Sequence, residues 1–118
     1  INSTTIGVLD FQKYIIDQCN DNHVIFVVEQ NNKIMACATC FIETKIIHNF
    51  GKVAHVEDVV VDATMQGFGL GKKIINTCVE YANDKQCYKI ILDCSENVKK
   101  FYESVGFSCK NLQMSYYI

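Results

Sequence analysis

The chain has 118 residues and a mass of 13.4 kDa, enough for one packed domain (residues 1–118) and too short for two independent cores. Its 49% hydrophobic and 20% charged residues, with no proline, describe a folded globular chain and exclude a linker or low-complexity segment. A net charge of −2 excludes the broad basic field that nucleic acid needs, and the longest apolar runs, such as VIFVV at Val24 to Val28, fall far short of the roughly 20 residues of a membrane helix.

Taken in chain order, DFQKYIIDQC (Asp10 to Cys19) spaces Phe11, Ile15, Ile16 and Cys19 on one helical face, with Asp10 as an N-cap. HVIFVVEQ (His23 to Gln30) then reads as a strand, NNK (Asn31 to Lys33) as a hairpin turn, and IMACATCFIETKII (Ile34 to Ile47) as a long second strand. VAHVEDVVVD (Val53 to Asp62) is a further strand, rich in β-branched residues but broken by the charged pair Glu57 and Asp58. Charges in mid-strand require a local reason. From Leu70 the apolar positions Ile74, Ile75, Cys78, Val79 and Ala82 keep helical spacing for about four turns. CYKIILDC (Cys87 to Cys94) is a continuous apolar run expected as a central buried strand, followed by a helix in NVKKFYESV, a stop at Gly106 and a terminal strand in QMSYYI. The order predicts an α+β, layered fold with helices flanking a mixed sheet.

Seven cysteines sit mostly within apolar segments, Cys78 and Cys94 among them, and are expected as reduced core thiols of an intracellular, cytoplasmic protein. Cys37 and Cys40 form a C-x-x-C pair, but no second pair lies at zinc-finger spacing, and in a strand the two would face opposite ways. No metal site is expected.

Three of the six glycines, Gly67, Gly69 and Gly71, fall within five residues directly ahead of the clearest helix. A P-loop is excluded because Gln66 stands where its first glycine belongs and Lys73 follows Gly71-Lys72. The Rossmann fingerprint fails as well, because its third glycine would be at position 72, and Asp93 comes late for its ribose-binding acid. What remains is the physics both motifs share: free N–H groups at the positive end of a helix bind phosphate, and glycines let it approach the backbone. Gln66, Lys72 and Lys73 would add donors, although glycines alone leave a plain strand-to-helix turn equally open.

QGFGLG (Gln66 to Gly71) matches the Q/R-x-x-G-x-G/A signature of the GNAT superfamily of N-acetyltransferases. With ETKIIHNFGKVAHVEDVVVD before it and CYKIILDC and KFYESVGF after it, the chain from about Val24 to Met114 resembles the eukaryotic glucosamine 6-phosphate N-acetyltransferases, and TTIG (Thr4 to Gly7) extends the likeness upstream. The resemblance implies a GNAT fold with a mostly antiparallel sheet, acetyl transfer from acetyl-CoA to the 2-amino group of glucosamine 6-phosphate, and a homodimer in which each subunit reaches into the other's sugar site. The product would feed UDP-N-acetylglucosamine synthesis.

It also implies roles. Val59, Val60 and Val61 would run beside the pantetheine arm, with the N–H near Val59 or Val60 polarising the thioester carbonyl and a bulge there freeing the backbone. Gln66, Gly67, Phe68, Gly69, Leu70, Gly71 and Lys72 would cradle the pyrophosphate, with Asn97 and Tyr102 completing the cofactor contacts. Tyr102 matches the general acid that protonates the leaving thiolate; Glu57, Asp58 and Asp93 match carboxylates at the aminosugar. Thr4, Lys45, His48, Tyr88 and Lys89 match contacts to sugar and phosphate. His23 and His55 receive no role.

Three departures from the family pattern accompany these matches. Tyr117 stands where an arginine commonly meets the phosphate, NVKKFY displaces Asn97 by one residue, and the usual first strand and helix before TTIG are missing, so a fragment or shortened variant is expected. Two other readings are a GNAT enzyme for a different amine and a non-catalytic acyl-CoA-binding module. A covalent acetyl-cysteine route lacks a Cys–His pair in the sequence.

Overall fold

The computed structural model describes residues 6–118. Helix α1 (Val8–Gln18) is followed by strands β1 (His23–Gln30) and β2 (Lys33–Thr44), a single turn α2 (Ile47–Phe50), and β3 (Lys52–Val61). Helix α3 (Leu70–Asp84), strand β4 (Cys87–Ile91) and helix α4 (Lys99–Ser104) complete the order. The sheet runs β1-β2-β3-β4, antiparallel as far as β3 and parallel between β3 and β4. The β1–β2 turn places Asn31 and Asn32 at φ 53° and 62°, the left-handed pair that matches strand twist and that asparagine tolerates.

Period-two alternation puts Ala38 and Cys40 of β2 and Ala54 and Val56 of β3 on one face, each no more than 2% exposed. Against them lie Ile74, Ile75, Cys78 and Ala82, the stripe that the helical spacing of α3 predicts. Alanines on the strands let the helix approach closely, so the isoleucines fill the gap; truncating Ile75 to alanine would cost about 2–5 kcal/mol. Cys40 and Cys78 meet inside this layer, and the hydrogen bond between them together with burial holds the Cys40 thiol above its ordinary value. Cys37 faces the opposite side, as strand geometry requires, and all seven cysteines are free thiols. Two of them correct the expectation of core thiols: Cys94 and Cys109 are exposed.

Other corrections concern element ends. Asp10 sits in the first turn of α1 and Gly7 occupies the N-cap, without a side-chain hydrogen bond. The second strand stops at Thr44, because His48, Asn49 and Phe50 turn into the left-handed region (φ 53°, 56° and 62°) and send the chain back as β3. β4 is an edge strand and ends at Ile91, three residues early, with Tyr88 and Ile91 about two-fifths exposed. QMSYYI forms no strand: an extended segment becomes one only where its N–H and C=O groups meet a neighbour, and Met114, Tyr116 and Tyr117 are exposed.

Candidate active-site cleft

The cleft arises where β3 and β4 part. Their pairing runs from Lys52 opposite Cys87 to His55 opposite Ile91 and then stops, although β3 continues to Val61. The β4-facing backbone groups of the remaining β3 residues therefore have no strand partner. A bulge drives the separation. Against β2, Cys37 pairs with Val60 and Thr39 with Glu57, so Asp58 and Val59 together oppose Ala38, and Asp58 takes a left-handed φ of 51°. Aspartate is among the few side chains that tolerate this conformation, which gives the mid-strand charge its local reason.

The resulting cleft has a volume of 710 Å³. Of the residues that the sequence marks, Glu57, Asp58, Val59, Val61, Gln66, Gly67, Gly69, Leu70, Gly71, Lys72, Asp93 and Tyr102 all line it. Val60, Phe68 and Asn97 do not: Val60 points away along the alternation of β3, Phe68 is 71% exposed, and the Asn97 side chain is held by Ser95 Oγ. Thr4 lies outside the described residues.

At the floor of the cleft, Gly67 and Gly69 adopt φ of 88° and 77°, with nothing within 4 Å of a would-be Cβ. Backbone conformation and not crowding requires these two glycines. Gly71 differs, since a Cβ there would stand 3.1 Å from Phe101 Cζ. Gly69 caps α3, and Lys73 N–H to Gly69 O is the first bond of the helix, so the amides of Leu70, Gly71 and Lys72 have no intrahelical acceptor. They open on the cleft with the Lys72 side chain beside them, an arrangement suited to a pyrophosphate.

Tyr102 projects from α4 between Phe101 and Phe107, edge-on to both rings at 5.0 and 5.9 Å. Burial, with smaller contributions from Cys94 and Cys78, raises its phenol above the ordinary value. It therefore stays protonated at neutral pH and holds a proton to donate.

The remaining marked residues gather elsewhere. Lys45, His48, Tyr88 and Lys89 cluster at the start of β3 and β4. The His48 and Tyr88 rings are 4.5 Å apart and Lys89 Nζ lies 5.8 Å from the centre of the Tyr88 ring. Lys45 N–H donates to Gly51 O at 2.8 Å, closing the left-handed turn. A Cβ at Gly51 would come within 2.8 Å of the Tyr88 ring, so any larger residue there requires that ring to move. None of the four lines the cleft. Lys52 and Glu57 stand five residue steps apart on β3, about 17 Å at strand rise and longer than one hexosamine phosphate.

Beside this cluster, His55 Nε2 lies 2.8 Å from Glu43 Oε1, and Lys45 Nζ donates to Glu43 Oε2 at 3.3 Å. These two contacts, His55 first, hold the Glu43 carboxyl below its ordinary value.

The cleft also contains residues that the motifs do not reveal: Met65, Leu92, Cys94, Ser95, Val98 and Phe101. Phe101 is the one with a sequence signal, being the apolar neighbour of Tyr102. The others become wall residues only through the divergence of β3 and β4, which periodicity does not encode. Among the described residues no group of three His, Cys, Asp or Glu side chains is arranged to hold a metal, and no helix is long and apolar enough to cross a membrane.

A strand bulge that opens a sheet beside a glycine-led helix N-terminus defines an acyl-CoA-type cleft, and comparison with known proteins agrees. The model of the Acetyltransferase (GNAT) family matches residues 4–107, and the chain belongs to that family. It is similar to the glucosamine 6-phosphate N-acetyltransferase of Arabidopsis thaliana, 46% identical over 99 residues that make up 82% of this chain and 66% of that protein. With glucosamine 6-phosphate N-acetyltransferase 1 of Dictyostelium discoideum it is 45% identical over 95 residues, 80% of this chain and 60% of the relative. The chain thus spans slightly less than two thirds of the length of these relatives. The crystal structure of the Arabidopsis thaliana glucosamine-6-phosphate N-acetyltransferase superposes with a TM-score of 0.93 at 39% identity, covering 98% of this chain and 82% of that one. A Trypanosoma brucei acetyltransferase gives 0.89 at 32% identity, with coverage of 98% and 82%. The expected GNAT fold, with its mostly antiparallel mixed sheet, is present.

Proposed function

We propose that this chain, acting as a homodimer, transfers acetyl from acetyl-CoA directly to the 2-amino group of glucosamine 6-phosphate. The observation that carries the reading is the single cleft in which free helix amides, unpaired β3 backbone, three carboxylates and a protonated tyrosine converge. Each supplies one requirement of acetyl transfer. The amides of Leu70, Gly71 and Lys72 take the pyrophosphate, and the β3 edge runs along the pantetheine arm as a strand would. A backbone N–H at the bulge, near Val59, meets the thioester oxygen and stabilises the oxyanion as the amine adds.

Glu57, Asp58 and Asp93 accept hydrogen bonds from the sugar hydroxyls and orient the amine, whose proton leaves towards a carboxylate through water. On collapse of the tetrahedral adduct the C–S bond breaks, and the Tyr102 hydroxyl protonates the departing thiolate. No enzyme nucleophile is used. Cys40 and Cys78 are buried in the helix–sheet layer away from the cleft, and Cys94, the one cysteine that lines it, has no histidine among the cleft residues to act as its base, which disfavours an acetyl-cysteine intermediate. The free thiols suit a reducing compartment, and we assign the protein to the cytoplasm, supplying UDP-N-acetylglucosamine synthesis.

The separation of the two groups of acceptor residues supports the dimer. Glu57 and Asp58 line the cleft while Lys45, His48 and Tyr88 lie at the far end of the β3–β4 pairing, so we assign these three residues of one subunit to the cleft of the other; Lys89 instead lines a cavity of 330 Å³ with Asp93 and Tyr102 of its own chain. The exposed apolar tail, Leu112, Met114, Tyr116 and Tyr117, is available for the same interface.

Release of free CoA tests the acceptor. Turnover with glucosamine 6-phosphate should exceed that with glucosamine or a peptide amine by at least about 100-fold, the effect of one well-placed phosphate clamp. Equal rates on all three would sink the choice of substrate while leaving acetyl-CoA binding intact.

A further inference from the structure

We infer that Glu43 and His55 are positioning residues for phosphate recognition, holding the Lys45 ammonium in place. This rests on the reading of Lys45 as a phosphate contact. Glu43, His55 and Phe41 lie on the face of β2 and β3 opposite α3, in a row that sheet register brings together: Phe41 pairs with His55, and Glu43 with Val53. The His55 ring lies flat on Phe41, with centroids 4.5 Å apart and planes 4° from parallel, and its side chain is only 19% exposed. That stack fixes where Nε2 points, and Glu43 Oε1 lies 2.8 Å from it. The second carboxylate oxygen takes Lys45 Nζ at 3.3 Å.

The chain of contacts therefore runs from a rigid aromatic stack, through a carboxylate, to a cation on a flexible four-carbon stem. Lys45 is itself tied at its backbone to Gly51, so both ends of the residue are fixed. Lysine presents a point charge without the preformed fork of arginine, and an unsupported one has to be ordered when the phosphate binds. Glu43 orders it beforehand, and His55 keeps Glu43 from turning away.

The test compares His55→Phe, which keeps the stack and removes the donor, with His55→Gln, which keeps a donor, and with Lys45→Ala. Steady-state kinetics are run with glucosamine 6-phosphate, glucosamine and acetyl-CoA. His55→Phe should raise the KM for glucosamine 6-phosphate about three- to tenfold, the effect of immobilising one long side chain, with kcat held within about twofold. The KM values for acetyl-CoA and glucosamine should not move, and His55→Gln should recover most of the loss.

An unchanged KM in His55→Phe, while Lys45→Ala raises it, overturns the positioning role and leaves the phosphate reading standing. If Lys45→Ala leaves the phosphosugar KM unchanged, the phosphate reading falls and the positioning role falls with it. Equal loss for glucosamine and its phosphate, or equal loss in the Phe and Gln variants, assigns the effect to packing and also overturns the proposal.

Discussion

The two ends of β3 differ in completeness. At the C-terminal end, strand, glycine turn, α3 and α4 converge, and every element of a donor site comes from one chain: unpaired amides, an open strand edge and an acid. At the N-terminal end, Lys45, His48 and Tyr88 gather outside the cleft, and Lys89 beside them lines a second cavity of 330 Å³ whose walls also include Asp93 and Tyr102. Under the proposed function, one strand carries the thioester chemistry at one end and the anion recognition at the other. In the proposed dimer a second copy brings Lys45, His48 and Tyr88 to the carboxylates of the cleft.

Changes at the complete end should have the largest effects. Gly69→Glu places a side chain at φ 77° and a carboxylate against the pyrophosphate amides; acetyl-CoA affinity measured by calorimetry should fall at least about 100-fold, or some 2.7 kcal/mol. Tyr102→Phe should lower kcat about 10²- to 10³-fold with the acetyl-CoA KM nearly constant, the loss expected for one general acid.

The pH profile gives a second view of the same group. The Tyr102 phenol is raised above its ordinary value, so it loses its proton only above about pH 10, and an alkaline limb due to Tyr102 should lie there and vanish in Tyr102→Phe. A limb near neutrality that survives the substitution would assign the titration to the amine or to another residue.

Effects at the cationic end should be smaller and confined to the acceptor. Lys45→Ala should raise the phosphosugar KM about tenfold or more, in line with a charge-assisted hydrogen bond, and leave acetyl-CoA untouched. Gly51→Ala drives a methyl group into the Tyr88 ring and should cost about 1–3 kcal/mol in denaturant unfolding unless Tyr88 swings aside. If the ring moves, stability is spared and only the phosphosugar KM rises; a change in acetyl-CoA KM would show that the two ends are coupled.

Local pattern reveals the donor end better than the acceptor end. Helical spacing finds α3, apolar and β-branched runs around the NNK turn find β1 to β3, and the glycines locate the free amides. Glu57 and Asp58, anomalous in a strand, mark the bulge, although only the backbone shows that Asp58 and Val59 share one partner. Periodicity fails where pairing is decided by long-range contacts. CYKIILDC has the apolar run of a central strand yet lies at the edge, because among the described residues QMSYYI pairs with no strand. The strand expected through Ile47 ends at Thr44, since no pattern announces three successive left-handed residues without glycine. His55, without a role by sequence alone, acquires one because register places it across from Phe41 and within reach of Glu43.

Mixing two crippled variants tests the split site most directly. Lys45→Ala and Tyr102→Phe proteins, each nearly inactive at low glucosamine 6-phosphate, are combined in equal amounts, unfolded and refolded together, and assayed. Random pairing puts half of the molecules in mixed dimers, each with one cleft that joins an intact Tyr102 to the partner's intact Lys45, so about one quarter of wild-type activity should return. Activity no greater than the mean of the two variants would contradict the account and place cation and acid in the same subunit's site.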